Sequence, residues 1–86
     1  MKIKSSNWND ILNQTSDEYL LEVSPFLNLE EVARFSHEDH ISQIKDWVKE
    51  GALLHPTEKE RSHWTKKNIS FNYIQVGPYF FIQKVA

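Results

Sequence analysis

Four apolar residues, Ile41, Ile44, Trp47 and Val48, recur every three or four positions in the middle of the chain, the period of one face of an α-helix. Ser36 stands as a cap ahead of this stripe, Glu38 and Asp39 suit the positive end, Lys45 and Lys49 suit the negative end, and Gly51 closes it. Just upstream, Asn28 followed by Glu31 reads as a capping-box variant, with Leu27 and Val32 as a hydrophobic staple. A short helix from about Leu29 to Phe35 follows, and the two helices form a tight helix-turn-helix. Near the start, Trp8, Ile11 and Leu12 lie at helical spacing behind Ser5 or Ser6 as cap. This first helix is expected to stop near Asn13 to Ser16. Residues Tyr19 to Ser24 then put Tyr19, Leu21 and Val23 on one side of a strand that Pro25 ends.

After Gly51 the pattern shortens. Ala52-Leu53-Leu54-His55 suits an edge strand or extended link, and Thr57-Glu58-Lys59-Glu60 opens a further helix with a capping box. Trp64 is that helix's one evident anchor, and Lys66, Lys67 and Asn68 suit its end, with Asn68 able to take a left-handed stop. Residues 69–76 and 79–85 are rich in β-branched and aromatic side chains and flank Gly77-Pro78, whose dihedral preferences fit a type II′ hairpin turn. The predicted fold is α+β: a small antiparallel or mixed sheet of three to four strands, helices packed on one face, and a C-terminal β-hairpin. Leu21, Val23, Val32, Ile41, Ile44, Trp47 and Val48 are its expected core.

The length of 86 residues fits one domain spanning 1–86, with no room for two cores. Apolar residues at 40% and charged residues at 26% exclude a disordered or fibrous chain. With no cysteine, neither a disulfide framework nor a thiolate zinc site holds the chain together. The basic N-terminal residues lead into no apolar stretch of the kind a secretory signal needs, and no run is long enough to span a bilayer. A cytoplasmic protein without membrane contact is expected. Charge is uneven: residues 1–55 carry five basic against ten acidic side chains, and residues 56–86 carry five against two.

Several groups of residues together resemble the small bacterial family called domain of unknown function 2288. They are Trp8 and Leu12; Val23-Ser24-Pro25 leading into Leu27-Asn28-Leu29; Val32-Ala33; Asp39; Gln43 with Trp47 and Gly51; Pro56-Thr57 with Trp64; Phe71; and Val76-Gly77-Pro78-Tyr79-Phe80-Phe81-Ile82-Gln83. The resemblance runs from Trp8 to Gln83. It departs from the family pattern at Asn28, where aspartate is expected, and at Tyr79, where tryptophan is. What it implies is a soluble bacterial protein of unassigned activity, with no mechanism attached.

Candidate chemistry is sparse. His37 and His40 could share a metal with Asp39 or His63, but a site needs three or four convergent ligands and no second paired motif exists, so no metal residues are assigned. No catalytic or cofactor-binding residue is assigned either: Ser62-His63 is a bare adjacency, and two glycines cannot make a phosphate-binding loop. An enzyme or ligand-binding domain is therefore a minor alternative. The helix pair followed by a hairpin resembles a winged helix-turn-helix, yet Glu38, Asp39, Asp46 and Glu50 outnumber Lys45 and Lys49 on its second helix, which disfavours nucleic acid. The hairpin remains. Phe71 and Tyr73 oppose Ile74 and Val76, and Tyr79 and Phe81 oppose Phe80 and Ile82, so both faces are apolar. In one reading helices sandwich the strand pair, the first and fourth covering the second face with Trp8 and Trp64, and the protein is a monomer; the favoured reading is a self-associating or protein-interaction module, a homodimer or a complex with another protein, whose contact surface is Phe71, Tyr73, Tyr79, Phe81 and Gln83.

Overall fold

A hairpin apolar on both faces needs cover on both, and the rest of the chain is arranged around that need. In the computed structural model, which describes residues 2–85, the hairpin strands β4 (Ser70–Val76) and β5 (Tyr79–Lys84) lie at the centre of a five-stranded sheet. Strand β1 (Lys4–Asn7) flanks β4, strand β2 (Leu20–Val23) flanks β5, and β3 (Leu53–Leu54) forms the other edge, in the order β1-β4-β5-β2-β3. All pairs are antiparallel except β2 with β5, which run parallel with Leu20 beside Phe80 and Leu21 beside Phe81. The α+β class, the mixed sheet and the C-terminal hairpin agree with expectation.

The strand count and the placement of the helices do not. Helix α1 (Trp8–Gln14) and helix α4 (Glu58–Lys67) cover one face of the sheet, where Trp8, Ile11 and Trp64 pack on Leu20, Phe71, Tyr73, Phe80 and Ile82. Helix α2 (Leu29–His37) and helix α3 (Ile41–Lys49) cover the opposite face, where Leu29, Val32 and Trp47 pack on Val23, Leu53, Ile74 and Phe81. The helices thus occupy two faces rather than one. The additional strand is β1, whose sequence Lys-Ser-Ser-Asn carries no apolar alternation because it is an exposed edge. Asn7, not Ser5 or Ser6, caps α1: its side chain accepts from the Asp10 N–H at 2.9 Å.

The helix pair also starts and stops elsewhere than the pattern suggests. Helix α2 runs through Ser36 to His37, and the reversal falls on Asp39, at φ 57. Aspartate is among the few residues that enter this left-handed region routinely. Of the expected core, Val23, Val32 and Trp47 are buried and Leu21 and Ile44 are half-buried, but Ile41 and Val48 are exposed. Helix α3 rests on α2 and the edge strand β3, so only part of its apolar stripe meets a neighbour.

The local signals around α4 and the hairpin hold. Thr57 and Glu60 form the reciprocal capping box, Asn68 ends α4 in the left-handed conformation, and Gly77 turns the hairpin at φ 58. The hairpin is no wing, however: it is the middle of the sheet, which removes the topological basis of the winged-helix comparison.

Candidate functional site

Because β2 and β5 run parallel and start at the same end of the sheet, Leu21 and Phe81 lie side by side there on the α2–α3 face. The Asp39–His40 turn holds the start of α3 above them, and Ile41 and Ile44 descend from it as one wall. Tyr79 is the opposite wall, steadied by an edge-to-face contact with Tyr19 at 5.5 Å. The result is an apolar groove of about 290 Å³, with Ser36, Asp39, His40 and Lys45 completing its lining. Ile41 and Tyr79 are 59% and 41% exposed, so an incoming side chain meets both. The His40 ring packs on Phe35 at 4.8 Å and its Nε2 lies 3.1 Å from Glu38 Oε1, which fixes the rim.

The five expected contact residues separate. Phe71 and Tyr73 are buried under α1 and α4, in the core of the chain itself. Phe81 is buried as well, on the other face, and reaches the groove as its floor. Tyr79 alone is exposed. Gln83 turns inward: its Nε2 donates to the carbonyls of Ser24 and Leu27, each at 2.8 Å, and ties β5 to the loop that leads into α2. The structure thus brings Tyr79 and Phe81 together and sends the other three elsewhere. Leu21, Ile41 and Ile44 are groove residues that periodicity assigns to the core. The period of a stripe shows that residues share a face, not whether a neighbour covers it.

Polar chemistry collects on the other side of the sheet. Glu22 is half-buried there, and its carboxyl is raised above the ordinary 4.5, first by burial and then by repulsion from Glu60, whose carboxylate can also accept a hydrogen bond from the protonated form; Lys84 acts in the opposite sense. His55 Nδ1–H donates to the Leu20 carbonyl at 3.0 Å. Among the described residues no group of three or more histidine, aspartate or glutamate side chains is placed to hold a metal ion, and no helix is long and apolar enough to cross a membrane.

A family model described as "Protein of unknown function (DUF2288)" matches residues 1–84. The chain belongs to that family. Among solved structures, the solution NMR structure of PA1075 from Pseudomonas aeruginosa is similar to this DUF2288 chain, with a TM-score of 0.84 at 22% identity over 99% of this chain and 79% of that one. That likeness establishes the fold of the family member and nothing about its activity. No curated protein matches.

Proposed function

We propose that the chain is a cytoplasmic protein-interaction domain that takes an apolar side chain of a protein partner into the groove between the α2–α3 turn and the start of β2 and β5. The observation that carries this reading is the lining of the groove: Leu21, Ile41, Ile44, Tyr79 and Phe81 supply its walls and floor. Such a surface gains most by excluding water from an apolar group, and aromatic and aliphatic residues of this kind anchor protein contacts. The ionisable groups at the groove, Asp39, His40 and Lys45, accompany Ser36 around this apolar lining. They suit orientation of a partner more than acid–base chemistry. The part of the hairpin that serves the contact is then its turn end, through Tyr79 and Phe81, rather than its whole length.

N-acetyl-phenylalaninamide, an isolated aromatic side chain on a neutral backbone, tests the reading. Titrated into ¹⁵N,¹³C-labelled protein, it is expected to shift the methyl signals of Leu21, Ile41 and Ile44 and the ring signals of Tyr79. Shifts scattered over the surface, or none at these residues at millimolar probe, would overturn it.

A further inference from the structure

Phe26 is 95% exposed, more than any other large apolar residue described. It sits in the turn between β2 and α2, at the opposite end of β2 from the groove. This turn is not loose. The Leu27 N–H donates to the Ser24 carbonyl at 3.0 Å, the Phe26 N–H donates to Ser24 Oγ at 3.2 Å, and the Gln83 side chain clamps the carbonyls on both sides. A bare aromatic ring on a braced turn is a preorganised anchor, which loses little freedom when it docks.

We infer that the groove is filled by Phe26 of a second copy of this chain, each copy inserting its own ring into the other about a two-fold axis. The inference rests on the reading of the groove as a protein-binding site and names its occupant. Size agrees: a cavity of about 150 Å³ already takes benzene, and the groove holds about 290 Å³. Placement agrees too. Anchor and groove flank the two ends of α2, whose nine residues span about 13 Å, so an antiparallel pair presents each anchor to the other's groove and closes without a free site. Charge allows only local pairing: exposed Glu30 and Glu31 follow Phe26, with Arg34 a turn further on, and the groove rim offers Lys45 to the acids and Asp39 to the arginine, while Glu38 beside His40 adds a further acid. Each phenylalanine buries about 200 Å², and with the groove walls the pair covers roughly 800–1,000 Å², below the range of stable interfaces and in that of weak, transient ones. A weak, concentration-dependent dimer follows.

Sedimentation equilibrium of the full chain from about 20 μM to 1 mM brackets the affinity that so small an interface supports. The mass is expected to rise from 10.2 kDa toward twice that value and no further. Phe26→Ser and Ile41→Glu, both at exposed positions, are each expected to weaken association at least tenfold while leaving the circular dichroism spectrum unchanged. Mixing the two variants is expected to restore association in part, because the intact groove of one receives the intact ring of the other. A monomer at every concentration, growth beyond a dimer, or a mixture no tighter than its components would overturn the inference. N-acetyl-phenylalaninamide titrated into the Phe26→Ser variant separates this failure from the broader one: shifts at the groove with no wild-type dimer reject only the second copy as occupant, and no shifts with no dimer reject both readings.

Discussion

Beneath α1 and α4 the sheet is sealed: Trp8, Trp64 and Phe71 meet pairwise at 4.9 to 5.8 Å, and the Trp8 indole N–H donates to Thr65 Oγ1 at 3.0 Å. Beneath α2 and α3 a comparable set of apolar strand residues is covered only in part. Trp47 stacks on Phe35 at 5.4 Å, but Leu21 and Ile44 are half-buried and Ile41 is open. The difference comes from the helices. On the sealed face, α1 and α4 touch each other and contribute two indoles to the same cluster. On the open face, α3 leans on α2 and the two-residue strand β3, and the Asp39–His40 turn lifts its first residues away from the start of β2 and β5. One face is therefore the more tightly packed, and the other carries an open apolar groove with the character of a binding site.

The substitution that tests this contrast hardest is Trp64→Ala. It should cost about 3–5 kcal/mol, enough to unfold a domain of ordinary marginal stability. Trp47→Ala, on the open face, should cost less, because part of its cavity can collapse or admit water. Urea midpoints of the two variants compare them, and an equal loss would break the contrast. A smaller effect comes from the helix starts. Thr57 accepts from the Glu60 N–H at 3.1 Å, so Thr57→Ala should cost about 1 kcal/mol. His40 makes no side-chain cap for α3, and His40→Ala should stay within about 0.5 kcal/mol. Thermal melts of both variants check the difference. Smaller again is Ile41→Ser, expected within about 0.5 kcal/mol despite removing an isoleucine from an apolar stripe. A loss near 2 kcal/mol would show that Ile41 is core after all.

These same residues show how far the sequence can be read. Thr57, Asn68 and Gly77 were legible because each acts within a few residues: a cap, a left-handed stop and a hairpin turn are written where they occur. Trp8 was legible as part of a helical stripe with Ile11 and Leu12, and Trp64 as the one apolar anchor of its helix; both are buried. Strand β1 was not legible, since its partner Tyr73 lies far along the chain and its own side chains face water. Ile41 and Val48 were misplaced because periodicity defines a stripe, while burial depends on how far α3 sits from the sheet. The groove was legible only in its pieces. Tyr79 and Phe81 stood out as aromatic, but Leu21 joins them through the parallel β2–β5 pairing, which no local pattern announces. Phe26 had one signal, an aromatic residue just after Pro25 and outside every periodic segment.

Glu22 sharpens the comparison from the sealed side, where it is the half-buried acid at the margin of an apolar face. Burial and the nearby Glu60 carboxylate both favour its protonated form, and Lys84 does not fully offset them, so its folded pKa lies above the ordinary 4.5. The folded state therefore holds the proton more tightly than the unfolded chain. By linkage, the contribution of Glu22 to stability is fully present below the unfolded value and is lost as pH rises from about 4.5 through the folded pKa. Above that window the charged carboxylate is a standing cost. Glu22→Gln removes the charge and keeps the hydrogen-bonding shape, so the variant should be more stable than the wild type at pH 7, with the advantage shrinking as pH falls toward 4. Urea unfolding of both proteins at a series of pH values measures it. A variant less stable at pH 7 would show that Lys84 holds Glu22 in a favourable ion pair, and that the edge of the sealed face is stabilised by charge rather than strained by it.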